Sequence, residues 1–131
     1  MTRKIEMQAN VILTFDAKDQ MIYDAPFTME LPGADEALDA DEMEVDVIRQ
    51  ILAPVPNADL QDLVKISLCY SMDAREDGSQ VDVDGDREVC KAMHHLIRHN
   101  AKYYFQPNQR DDYEQRLVDA LRIASQTQMF V

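Results

Sequence analysis

The chain has 131 residues, of which 46% are hydrophobic, so it is long and apolar enough to fold around a core of its own. This composition argues against intrinsic disorder and a collagen-like repeat, and two cysteines are too few for a disulfide-stapled fold. Twenty-five acidic against thirteen basic residues leave a net charge of −12, which argues against general attachment to nucleic acid or anionic lipid.

The sequence contains neither a secretory signal nor a run of about eighteen apolar residues that would span a bilayer. We therefore expect a cytoplasmic protein, in a bacterium or in the host of a virus, without membrane contact. Cys69 and Cys90 are expected to be reduced thiols in that compartment.

The clearest structural pattern is the alternation of apolar and polar residues over 4–31. Apolar side chains recur at every second position in 5–15 and again in 21–31, which is typical of strands with one buried face. The pattern predicts a long β-hairpin, and a turn centred on Lys18 would place Ala9 opposite Phe27.

Pro26 has no N–H to donate, so it predicts that the second strand lies at a sheet edge and the first strand is central. Helical spacing of apolar residues predicts a helix over about 41–52, with Asp41 and Glu44 resembling a capping box. Alternation returns over 62–72 and predicts a third strand. Its expected inward side chains are Val64, Ile66, Leu68, Tyr70 and Met72.

Three further elements complete the prediction: a short fourth strand over 80–84 and helices over about 86–105 and 109–125. A right-handed crossover through the first helix would set the third strand beside the first. We therefore predict a single α+β domain, 1–131, with an antiparallel sheet of three or four strands in the order 2-1-3 or 2-1-3-4. About three helices are expected to pack on one face of that sheet.

Charge is unevenly distributed along the chain. Residues 1–62 hold fourteen acidic and four basic side chains, whereas residues 87–131 hold five acidic and seven basic ones. The densest acidic run suggests an anionic surface that meets a cationic partner, while a solvated loop and helix start is the ordinary alternative. The predicted partner-binding residues are Glu36, Asp39, Asp41, Glu42, Glu44 and Asp46.

The predicted penultimate helix carries a basic stripe at spacings of three and four residues. Its members are Arg87, Lys91, His94, Arg98 and Lys102. On one continuous helix they would lie on one side, away from the core, where they could contact phosphates, an acidic partner or this protein's own acidic segment. A solvated helix face is again the ordinary alternative.

The histidines of this helix raise the question of a metal site. His95 and His99 are one helical turn apart, and Cys90 and His94 form a second such pair that points in a different direction. Because the sequence offers no second cluster of cysteines and histidines, we expect surface histidines, no metal and no cofactor. A glycine-rich phosphate loop and a nucleophile motif are also missing from the sequence, so no catalytic residue is predicted.

These observations favour a non-enzymatic acidic binding protein that engages a partner with a basic surface. By analogy with small phage-type inhibitors, such a protein would imitate DNA and occlude a nucleic-acid-binding protein. One alternative is a self-associating structural or assembly protein of the phage type, a homo-oligomer formed through the hairpin edge or the basic helix. A further alternative is weak nucleic-acid binding through the basic helix 87–102.

Overall fold

The computed structural model describes residues 2–33, 36–60, 62–97 and 102–104. They form an α+β fold with an antiparallel sheet, as the sequence predicts. The elements in chain order are β1 (Arg3–Phe15), β2 (Met21–Leu31), α1 (Ala40–Leu52), α2 (Asn57–Leu60), β3 (Leu63–Tyr70), β4 (Ala74–Glu76), β5 (Ser79–Val81), α3 (Arg87–Ile97) and β6 (Lys102–Tyr104). The helix predicted over 109–125 lies outside the described residues.

The N-terminal hairpin is built from β1 and β2, but its register differs from the prediction by two residues. Ala9 pairs with Ala25 and Met7 with Phe27, and Phe15 pairs with Leu63 of β3. The connecting loop is held on that side of the sheet, since the N–H of Asp16 donates to the carbonyl of Asp62 over 2.8 Å. A shift of two residues preserves which side chains face the core, so alternation alone does not determine the register.

Strand β1 is central. It pairs with β2 along one edge and with both β3 and β4 along the other, and β6 and β5 extend the sheet beyond these two strands. The predicted order 2-1-3 is therefore present, whereas the predicted fourth strand pairs with β4 and not with β3. Strand β4 was not predicted from the sequence. Asp77 and Gly78 both have positive φ, the conformation of a tight two-residue hairpin turn, and this Asp-Gly pair was the sequence signal that could have indicated the β4–β5 hairpin.

The inward side chains of β3 differ from the prediction at both ends. The register shifts between Thr14 and Phe15, so Leu63 rather than Val64 is buried. Such a bulge sets an extra residue in one strand and reverses the alternation beyond it. Met72 lies after the end of β3, and its side chain is 58% exposed.

Helix α1 supplies the same core as the strands. Its buried apolar side chains join the buried face of β1 and β2 in one cluster. They are Met43, Val47, Ile48, Ile51 and Leu52. The hydroxyl of Tyr23 on β2 donates to the carbonyl of Ile51 over 2.7 Å, and burial raises the pKa of Tyr23 to about 12.

Helix α3 is shorter than the predicted helix over 86–105. It ends at Ile97 in the described residues, and 102–104 form strand β6, which pairs with β3. Tyr103 and Tyr104 are aromatic residues, which favour strands, so Tyr104, one of the apolar positions of the predicted helix, is a strand position.

The outer edge of β2 is closed at its centre by Gln50 of α1. The side-chain amide of Gln50 accepts from the N–H of Thr28 and donates to its carbonyl, each over 2.8 Å. Backbone groups alternate in direction along an antiparallel strand, so Pro26 also presents its backbone nitrogen outward, where the missing N–H costs no bond to β1. At Thr28 and Pro26, therefore, the outer edge of β2 does not present the free N–H and C=O pair that another strand would bind.

We predict that Gln50→Ala lowers the free energy of unfolding by about 1–2 kcal/mol, because it removes two hydrogen bonds to a partly buried backbone segment. The variant also exposes the edge at Thr28, so it should associate at concentrations where the wild type does not. Urea unfolding and sedimentation velocity measure the two effects. Gln80→Ala, at an exposed position of β5, is the control, and an equal loss in both variants would contradict the edge role of Gln50.

Candidate functional site

Helix α1 begins with acidic side chains that stabilise its first turn. Asp39 is the N-cap, and its carboxylate accepts from the N–H of Glu42 over 3.1 Å. This corrects the predicted cap at Asp41, which lies inside the helix. Because Asp39, Glu42 and Asp46 are spaced by three and four residues, they lie along one side of the helix.

That side of α1 borders a concavity of about 370 Å³. Glu30 of β2 brings a fourth carboxylate to it, and Leu38 and Met43 contribute apolar surface. The full lining is Thr2, Glu30, Pro32, Ala37, Leu38, Asp39, Glu42, Met43, Asp46 and Arg49. Four carboxylates outnumber the cation of Arg49, so the concavity favours a positively charged guest.

The six predicted partner-binding residues are thus divided by the fold. Asp39, Glu42 and Asp46 line the concavity, and Glu36 is exposed but does not line it. Asp41 is exposed outside that lining, while Glu44 is only 1% exposed and so does not belong to an accessible surface. The sequence pattern did not separate Glu44 from the other acidic residues, because Asp41, Glu42 and Asp46 lie within three positions of it.

Glu44 meets α3. Its Oε1 lies 3.0 Å from Nε2 of His95, and Oδ1 of Asp41 lies 3.6 Å from the same nitrogen. The pair of Glu44 and His95 spans two helices at the core boundary, where burial of a carboxylate requires a partner of this kind. His99, the predicted neighbour of His95, lies outside the described residues.

Three acidic groups from the second half of the chain are arranged differently, around Arg3. Its guanidinium donates to the carboxylates of Glu76, Asp86 and Glu88 over 2.7–3.2 Å. This cation holds the pKa values of Glu76 and Asp86 below their usual range, and the carboxylates in turn raise the pKa of Arg3. Asp86 also accepts from the N–H of Val89 at the start of α3.

The predicted basic stripe is not one continuous helix face. Arg87, Lys91 and His94 lie on α3, Lys102 lies on β6, and Arg98 lies outside the described residues. The relation expected for one helix therefore does not hold across the whole set. His94 also belongs to the second pair considered as metal ligands, and its Nε2 lies 3.8 Å from Sγ of Cys90.

A second concavity, of about 430 Å³, lies beside Glu6 and Gln8 of β1 and beside Ser71, Asp73 and Arg75. Here Arg75 lies among the acidic groups, with its Nε 3.6 Å from Oδ1 of Asp73. The charged side chains that line this second concavity are Glu6, Asp73 and Arg75. Its excess of negative charge is therefore smaller than that of the α1 concavity. The α1 concavity is therefore the stronger candidate for binding a cation.

No known protein family, curated protein or solved structure shows a significant match to this chain. In the part of the chain that the structure describes, no helix combines the length and the apolar character that crossing a membrane requires. The function therefore has to be argued from the chemistry of the site itself.

We predict that the stabilisation provided by the ion pairs of Arg3 is lost in acid. Because folding lowers the pKa of Glu76 and Asp86, their contribution is complete above their unfolded pKa of about 4 and is lost as the pH falls through the folded values. The stability gap between wild type and Arg3→Met should therefore narrow from about pH 5 to about pH 2.

Urea unfolding at a series of pH values measures this gap. Arg75→Met is the matched control, because it removes a guanidinium whose side chain is 51% exposed. A gap for Arg3→Met that stays constant over the whole pH range would show that these carboxylates do not depend on Arg3.

Proposed function

We propose that this protein is a non-enzymatic binding protein that engages a basic partner through the acidic concavity at the start of α1. The observation that carries this proposal is the convergence of Glu30, Asp39, Glu42 and Asp46 on one hollow. They come from two elements, β2 and the N-terminal region of α1, so the cluster is a product of folding and not only of the local sequence.

The shape and the charge of the concavity suit a long cationic side chain. Its volume of about 370 Å³ lies at the small end of the range for ligand sites, which is about 300–1,000 Å³. The half-buried Leu38 can pack against the methylene groups of a lysine or arginine, while the carboxylates meet its charged end.

Glu36 and Asp41 extend the negative surface beyond the concavity, and both are exposed. Extended negative potential accelerates association with a cationic protein and makes it sensitive to salt. The partner that we propose is a nucleic-acid-binding protein, because its cationic groove is already shaped to bind a row of anions. By occupying that groove the protein would act as an inhibitor that imitates DNA.

Two alternatives receive less support from the geometry. Self-association through the hairpin edge would have to displace Gln50 from Thr28 and to accommodate Pro26. The exposed side chains of Ile22 and Met72 offer apolar surface that such an assembly could bury. Nucleic-acid binding through the basic stripe was predicted on one continuous helix, and the described residues do not form that helix.

We predict that neutralising the concavity weakens binding to a fluorescent octa-arginine peptide by about thirtyfold. This corresponds to roughly 2 kcal/mol for four exposed charge contacts of about 0.5 kcal/mol each. The variant combines Glu30→Gln, Asp39→Asn, Glu42→Gln and Asp46→Asn, and the N-cap is kept because asparagine caps a helix as well as aspartate does. Fluorescence anisotropy at low and at physiological salt measures the dissociation constant.

The control variant has the same net charge but keeps the concavity. It combines Asp16→Asn, Asp19→Asn, Asp77→Asn and Asp84→Asn, all at exposed positions outside the concavity. Under the proposal it weakens binding much less than the first variant does. Equal weakening by the two variants would mean that total charge governs binding and that the concavity is not a site.

A further inference from the structure

A cluster of three potential metal ligands lies where the first turns of α1 face α3. Asp41, Glu44 and His95 each offer one ligand atom, and these atoms all lie within 4.8 Å of one another. Asp41 and Glu44 are three residues apart on α1, which places them on neighbouring positions of one helix face. His95 reaches them from α3.

Two of the three distances between these atoms are close to those around a tetrahedral ion. Bonds of about 2.0–2.1 Å at a tetrahedral Zn²⁺ place neighbouring ligand atoms about 3.3 Å apart. Nε2 of His95 lies 3.0 Å from Oε1 of Glu44 and 3.6 Å from Oδ1 of Asp41, so the two distances bracket that value.

The surroundings hold two of the ligands firmly and leave the third accessible. The side chains of Glu44 and His95 are only 1% and 11% exposed, whereas that of Asp41 is 82% exposed. On α3, the neighbours Ala92 and Leu96 are buried in the core, so the position of His95 is fixed by packing. Ligands on packed helices are preorganised, and the open side at Asp41 provides a path for an ion and for water.

We propose that Asp41, Glu44 and His95 form a binding site for a divalent transition-metal ion of the Zn²⁺ type. One imidazole with two carboxylates suits such ions, whereas Mg²⁺ and Ca²⁺ prefer oxygen ligands throughout. Water would complete the coordination on the exposed side, as it does where proteins supply three ligands. This site is independent of the concavity, which neither Glu44 nor His95 lines.

Isothermal titration calorimetry of the metal-free protein with ZnCl₂ tests the site. We expect one ion to bind with a saturable isotherm and to raise the melting temperature, because an ion that binds the folded state stabilises it. MgCl₂ at the same concentrations should have no such effect. Failure of Zn²⁺ to bind at a stoichiometry of one would overturn the proposal.

Conservative variants assign the ligands. Asp41→Asn, Glu44→Gln and His95→Gln should each weaken Zn²⁺ binding by at least about tenfold, since each removes one ligand. Asp41 is exposed, so Asp41→Asn tests the site without disturbing the core, and far-UV circular dichroism checks the fold of all three variants. Unchanged Zn²⁺ affinity in folded Asp41→Asn and His95→Gln would refute the assignment.

Two controls lie outside the three ligands. Asp19→Asn alters an exposed carboxylate between β1 and β2, and His94→Gln alters the histidine that lies near Cys90. Both should keep the wild-type affinity for Zn²⁺. Co²⁺ provides a second readout, because a thiolate ligand produces a strong near-ultraviolet charge-transfer band. Absence of that band supports the carboxylate and imidazole set, and its presence together with loss of binding in His94→Gln would overturn it.

Discussion

A central strand of thirteen residues with neighbours along both edges has to satisfy two conditions at once. Its backbone groups must pair on each side, and one of its faces must lose contact with water. Strand β1 meets both conditions with apolar side chains at every second position from Ile5 to Phe15, all of them buried. Helix α1 contributes its own apolar face to the same core, and its N-terminal region is thereby held beside β2. The position of the acidic concavity follows from that packing.

Acidic side chains serve three different purposes in this fold. Glu76 and Asp86 are bound to Arg3 and tie the β4–β5 region and the start of α3 to the first residues of β1. Glu44 is buried against His95 between two helices. Those of the α1 concavity instead surround a hollow that is open to solvent. The net charge of −12 therefore says less about binding than the local arrangement of these groups does.

The sequence predicted the elements that depend on a strong repeating pattern and missed those that depend on tertiary contacts. Alternation identified the hairpin and its buried face, but it did not determine the register, because a shift of two residues leaves the same side chains buried. The bulge that buries Leu63 arises from the contact between two strands, so the periodic pattern of either strand alone does not predict it. The Asp77-Gly78 turn was available in the sequence as a hairpin indicator. Three of the six predicted acidic residues line the concavity, but only the packing of α3 shows that Glu44 is buried.

Gln50 connects two parts of the surface that otherwise have different roles. Its Nε2 donates both to the carbonyl of Thr28 and, over 3.1 Å, to the carboxylate of Asp46, while its Oε1 accepts from Thr28. Both N–H groups of the amide are therefore engaged, one at the sheet edge and one at a wall of the concavity. A cation that draws Asp46 toward itself competes for the hydrogen bond that helps to orient this amide. One amide side chain therefore joins a wall of the hollow to the shielded edge of β2.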